Sequence, residues 1–220
     1  FIVSLLIMTE RLPKFIITSV VRGSVQGESH GGVYTVDFDK KKARQHIDWN
    51  TSDIDFEGRG ADRGLRGICF DDEDIYIAAS DELFCYDKNF KLKNSFKNRY
   101  LKHAHEICRM EKRIFISSTG FDSLLSFDLE SKKFDWGYQL RKEFNQWTGG
   151  VFDPRKPVGP RPVNDFHINM VHVDNDGIFL SGLRTEGLLY LSPKNTIELV
   201  CELPSGTHNP RLWENGIIFN

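Results

Sequence analysis

Ile75-Tyr76-Ile77-Ala78-Ala79-Ser80 and Ile114-Phe115-Ile116-Ser117-Ser118-Thr119 are two copies of one pattern, an apolar run that ends in small side chains. The pattern returns as Ile178-Phe179-Leu180-Ser181-Gly182-Leu183 and again as Ile217-Ile218-Phe219-Asn220. Its starts at 75, 114, 178 and 217 are spaced by 39, 64 and 39 residues. The middle spacing reads as one unit of about forty residues carrying an insertion. An earlier copy, Phe15-Ile16-Ile17-Thr18-Ser19-Val20, is followed by a second insertion.

Each unit holds four strand-like pieces around this pattern. Before it comes Gly67-Ile68-Cys69-Phe70, Glu106-Ile107-Cys108-Arg109 or Met170-Val171-His172-Val173, then a tight polar turn such as Asp71 to Asp74. After it come a third run (Leu83 to Asp87, Leu124 to Asp128, Leu188 to Leu191) and a fourth, more polar one (Leu92 to Phe96, Phe134 to Leu140, Ile197 to Leu203). Polarity that rises toward the fourth strand fits a blade whose first strand is central and whose last is peripheral. Four antiparallel strands in about forty residues, repeated, predict an all-β fold, a β-propeller of four-stranded blades. About five blades or parts of blades are expected, three complete and two partial. The whole chain, 1–220, is read as a single propeller domain, part of a longer one.

Arg66-Gly67-Ile68 and His105-Glu106-Ile107 look like a first strand that reads small or His, then Gly, then Ile, then an apolar residue, followed by a tight turn and an apolar second strand. It resembles propellers of the broad NHL, YVTN and gluconolactonase-like type, a resemblance of architecture that implies no single function. Ile116-Ser117-Ser118-Thr119-Gly120-Phe121 resembles the Ser-Thr-Gly turn of plant-type glutaminyl cyclases, which are also propellers. Where that family has Gln-Gly-Leu, this chain has His105-Glu106-Ile107.

With 40% apolar and 27% charged residues, the 220-residue composition is that of an ordinary globular protein. A net charge of −2 gives no electrostatic basis for binding nucleic acid or an anionic membrane. Four cysteines without CxxC spacing read as buried thiols, which points to a reducing compartment such as the cytoplasm. The apolar opening Phe1 to Met8 is too short to span a bilayer. It reads as a buried strand or an upstream extension, with a signal-peptide remnant as the alternative.

Blade connectivity puts second-to-third and fourth-to-first connections on one face of the disc. The insertions at 22–31, 51–65 and 142–165 are all of these kinds, so this face is the expected binding face for a small-molecule or protein ligand. First strands open onto the central channel at the same face. Nine residues before each second strand stand Arg66, His105, Asn169 and His208, and two residues before two of these stand His103 and His167. Strand alternation is expected to aim both pairs the same way.

His105, His208, His167 and His103 are therefore candidate ligands of a divalent metal ion, since converging neutral imidazoles are its usual nitrogen donors. The competing reading is a hydrated channel lined by hydrogen-bonding residues. Arg66 suits an anionic group, and Glu106, next to His105, is the candidate acid or base. Asn169, His30 and Trp147 are candidate ligand-binding residues. Two functions follow: a metal-assisted lyase or hydrolase acting on a small polar or anionic molecule such as a sugar acid or lactone, or a non-catalytic binding module.

Overall fold

The computed structural model describes residues 14–50, 64–214 and 216–220. The expectations for residues 1–8, and for all but the end of the 51–65 insertion, lie outside these residues. Among the described residues the strands form five antiparallel sheets in chain order. The first holds β1 (Phe15–Thr18), β2 (Gly32–Asp37) and β3 (Lys42–Asp48). The second holds β4 (Ile68–Asp71), β5 (Asp74–Ala79), β6 (Glu82–Asp87) and β7 (Leu92–Lys97). The third holds β8 (Ala104–Met110), β9 (Arg113–Ser118), β10 (Ser123–Asp128), β11 (Lys133–Glu143) and β12 (Gln146–Phe152). The fourth holds β13 (Ile168–Val173), β14 (Ile178–Gly182), β15 (Gly187–Leu191) and β16 (Ile197–Glu202), and the hairpin of β17 (Arg211–Trp213) and β18 (Gly216–Ile218) begins a further unit.

Why the second strand of every unit is apolar at successive positions is answered by its packing. β5 is covered on both faces. Ile75, Ile77 and Ala79 pack with Val33, Trp49 and Leu65 toward the first sheet. Tyr76 and Ala78 pack with Ile107, Ile114, Ile116 and Phe127 toward the third. In β9, Ile114 and Ile116 face the second sheet while Phe115 joins the cluster of Val171, Leu180 and Leu189 in the fourth. The core is thus a series of layers between successive blades, and each fully buried Ile or Leu contributes about 1.5–3 kcal/mol over its exposed state. β3, β7 and β16 are mostly exposed, as peripheral fourth strands should be.

The third blade departs from the expected four strands. Phe144 and Asn145 both adopt left-handed backbone, φ 51° and 62°, and make a two-residue hairpin turn of the kind that matches strand twist. The fourth strand therefore runs to Glu143 and folds back as a fifth, pairing Lys142 with Trp147 and Gly137 with Phe152. The first part of the 142–165 insertion, as far as Phe152, is thus a hairpin of sheet, not loop. No helix of the described residues is long and apolar enough to cross a membrane.

Candidate functional site

First strands β4, β8 and β13 lie side by side. Gly67 lets the blades come this close: a Cβ there would sit 2.5 Å from the Ile107 nitrogen. At the start of these strands is a cavity of about 830 Å³. Every unit contributes to its wall: Thr18, Val20 and Arg22 from the first, Leu65 to Ile68 from the second, His103, His105 and Glu106 from the third, His167 and Asn169 from the fourth, and His208 and Asn209 from the last.

The rim is stitched from blade to blade by hydrogen bonds at these same positions. Thr18 Oγ1 donates to the Arg66 carbonyl at 2.5 Å, and Gly67 N donates to the His105 carbonyl at 2.7 Å. Thr119 Oγ1 donates to the Ile168 carbonyl at 2.5 Å, and Asn169 Nδ2 donates to His208 Nδ1 at 3.0 Å.

The structure thus brings seven of the nine candidate residues to one cavity: Arg66, His103, His105, Glu106, His167, Asn169 and His208. The reason is not the strand alternation expected for His103 and His167. Both precede their strands and take left-handed backbone, φ 52° and 55°. His105 and Glu106 are consecutive yet both line the cavity, because the β8–β9 register shifts between Ala104 and Ile107. Such a bulge re-aims side chains that a regular strand would send to opposite faces. β13 carries the same irregularity between Ile168 and Met170, at Asn169.

Two candidates lie elsewhere. His30 is fully buried inside the 22–31 segment, its Nδ1 2.5 Å from Ser24 Oγ and its ring edge-on to Trp49. Trp147 sits in β12, under the Lys142 ammonium and against Phe166, so it supports the connection that ends at His167. That connection is held by a residue the sequence reading passed over. Asp122, fully buried, accepts backbone N–H bonds from Asp165 (2.5 Å), Phe166 (3.0 Å) and Ile168 (3.4 Å) on either side of His167. Its left-handed conformation (φ 43°), ending the short 3-10 turn Thr119–Phe121, is the signal of its role, and sequence alone does not display it.

Protonation states follow from the partners. The His105 Nδ1 lies 2.8 Å from the His103 carbonyl, which only accepts, and 2.7 Å from Thr119 Oγ1, whose proton goes to Ile168. Nδ1 therefore carries the hydrogen and Nε2 keeps its lone pair. The His167 Nδ1 likewise donates to Asn164 Oδ1 at 3.2 Å. The two rings are edge to face with centroids 5.3 Å apart. Burial, then the Arg66 charge, pushes the His105 pKa down to about 3; burial, Arg184, His208 and Arg66 push His167 down to about 4. Both are neutral imidazoles at physiological pH.

Glu106 is ion-paired with Arg211, which reaches it from the terminal hairpin, yet burial outweighs this charge and raises its pKa. Among the described residues no three His, Cys, Asp or Glu side chains are gathered as a metal-binding group. The four thiols Cys69, Cys85, Cys108 and Cys201 are free.

No protein-family model matches the chain, and no curated protein matches it. Among solved structures it is similar to BamB from Moraxella catarrhalis, at 12% identity and TM-score 0.54, over 92% of this chain and 58% of that one. It is similar also to a protein of unknown function from Bacteroides caccae, at 8% identity and TM-score 0.55, over 93% and 64%. Glutaminyl cyclase from Myxococcus xanthus aligns over 83% of this chain and 72% of that one, at 14% identity and TM-score 0.41. The chain spans less than two thirds of the length of the first two. At these identities the likeness to the first two is one of fold, and together with the blade-by-blade sheets it identifies the chain as a β-propeller.

Proposed function

We propose that the cavity at the head of the first strands binds a small polar or anionic molecule. The observation that carries this reading is Arg66, a permanent cation, set beside two imidazoles that remain neutral. A guanidinium holds a carboxylate or phosphate, and neutral imidazole nitrogens accept hydrogen bonds from the same molecule or take a proton from it. Arg22, Leu65 and His167, where the three embellished connections approach the channel, lie in the cavity wall, which favours entry of the ligand from that face.

A catalytic form of this reading rests on the neutral rings of His105 and His167, edge to face with centroids 5.3 Å apart. A divalent ion drawn to them would polarise a carbonyl or carboxylate, and Glu106 would move the proton in a lyase or hydrolase reaction. The non-catalytic form needs only the anion site. Calorimetric titration of the protein with citrate, and separately with Zn²⁺ and Mn²⁺, tests both. Citrate is expected to bind the wild type and to bind Arg66→Gln at least about 10-fold more weakly, the scale of losing one charged hydrogen-bonding partner. Metal uptake abolished by His105→Ala supports the metal-assisted form; no uptake in the wild type leaves the binding module. Citrate affinity unchanged by Arg66→Gln contradicts the proposal.

A further inference from the structure

Two oxygens in the cavity residues have no hydrogen-bond partner. Asn169, 2% exposed, uses its Nδ2 on His208, while its Oδ1 is buried and unpartnered. Glu106 gives Oε1 to Arg211, while its Oε2 is buried and unpartnered. Both residues stand at bulges of neighbouring first strands, β13 and β8, and both line the cavity. Thr119 Oγ1 is committed to the Ile168 carbonyl, His105 Nδ1 to the His103 carbonyl and Arg211 to Glu106 Oε1. Native proteins leave few such acceptors unsatisfied, and one left open beside a cavity is a place to which a ligand can bring a donor.

An anion alone brings acceptors, not donors, so it would leave both oxygens as they are. Resting on the anion-binding reading above, we propose that the ligand is a small hydroxylated carboxylate. Its carboxylate lies at Arg66 and its hydroxyls donate to Asn169 Oδ1 and Glu106 Oε2. Hydroxyl fits better than ammonium, because Arg211 already neutralises Glu106. A cavity of about 830 Å³ has room for a six-carbon acid.

Four probes separate the terms: D-galacturonate has both groups, hexanoate only the carboxylate, D-galactose only hydroxyls, and 6-aminohexanoate a carboxylate with an ammonium. Galacturonate is expected to bind at least about 10-fold more tightly than each of the others, a modest share of what a hydrogen-bonding site can discriminate. Asn169→Leu is expected to bring galacturonate down toward hexanoate while leaving hexanoate itself within about 2-fold. The wild-type series is decisive even where that variant does not fold. Hexanoate equal to galacturonate overturns the hydroxyl assignment and leaves the anion site standing. Tightest binding by 6-aminohexanoate overturns it in favour of an amine. Galactose equal to galacturonate, or no binding by any probe up to about 10 mM, overturns both this inference and the anion reading.

Discussion

His105 illustrates how much one residue's position owes to its neighbours. Its register, nine residues before a second strand, is readable in the sequence; its tautomer is not, because Thr119 and the His103 carbonyl that fix it are brought there by a bulge and a left-handed turn. His30 shows the reverse case. It sits in a polar segment that reads as loop, yet Ser24 and Trp49 enclose it, and nothing in the sequence announces that. The lowered pKa values of His105 and His167 carry a sign for stability. In the unfolded chain both protonate near pH 6.5, whereas in the fold they stay neutral until about pH 3 and 4. Between these limits the unfolded state binds more protons, so these groups make stability fall as pH drops from about 6.5 toward 4. Glu106, raised by burial, works in the opposite direction over its own range. Urea unfolding at pH 7 and pH 5 is expected to show a lower midpoint at pH 5, and a difference that shrinks in a His105→Ala, His167→Ala double variant.

Strands were legible where both faces are buried and the pattern repeats, as in β5, β9 and β14. β12 was not, because its turn, Phe144-Asn145, lacks the glycine that usually advertises a two-residue hairpin and the strand carries Gly149-Gly150. The connection after β12 matters to the site through its anchor. Asp122 holds the backbone of Asp165, Phe166 and Ile168, and so places His167 against His105. Asp122→Ala is expected to lower stability by about 1–3 kcal/mol, the penalty for buried N–H donors left behind. Citrate binding should weaken with it. Chemical denaturation together with titration checks this, and full retention of both would remove Asp122 from its positioning role.

The described residues are held by layers between blades and by the blade-to-blade hydrogen bonds at the cavity rim. Phe127 is fully buried between the second and third sheets, with ring centroids 4.7 Å from Phe96, 5.1 Å from Phe134 and 6.3 Å from Tyr76. Phe127→Ala is expected to cost about 3–5 kcal/mol, measurable as a shift in denaturation midpoint. A loss under about 1 kcal/mol would mean that these two blades are not stacked as described. The convergence of five units on one neutral-imidazole, Arg66-bearing cavity is the claim on which the functional reading stands. Nitrogen-15 NMR of the histidine rings, followed from pH 7.5 to pH 5, tests it most directly. His105 and His167 are expected to remain neutral with hydrogen on Nδ1 throughout that range, and Arg66→Gln is expected to raise both pKa values. Rings that titrate near pH 6.5 in the wild type, and do not respond to Arg66→Gln, would contradict it.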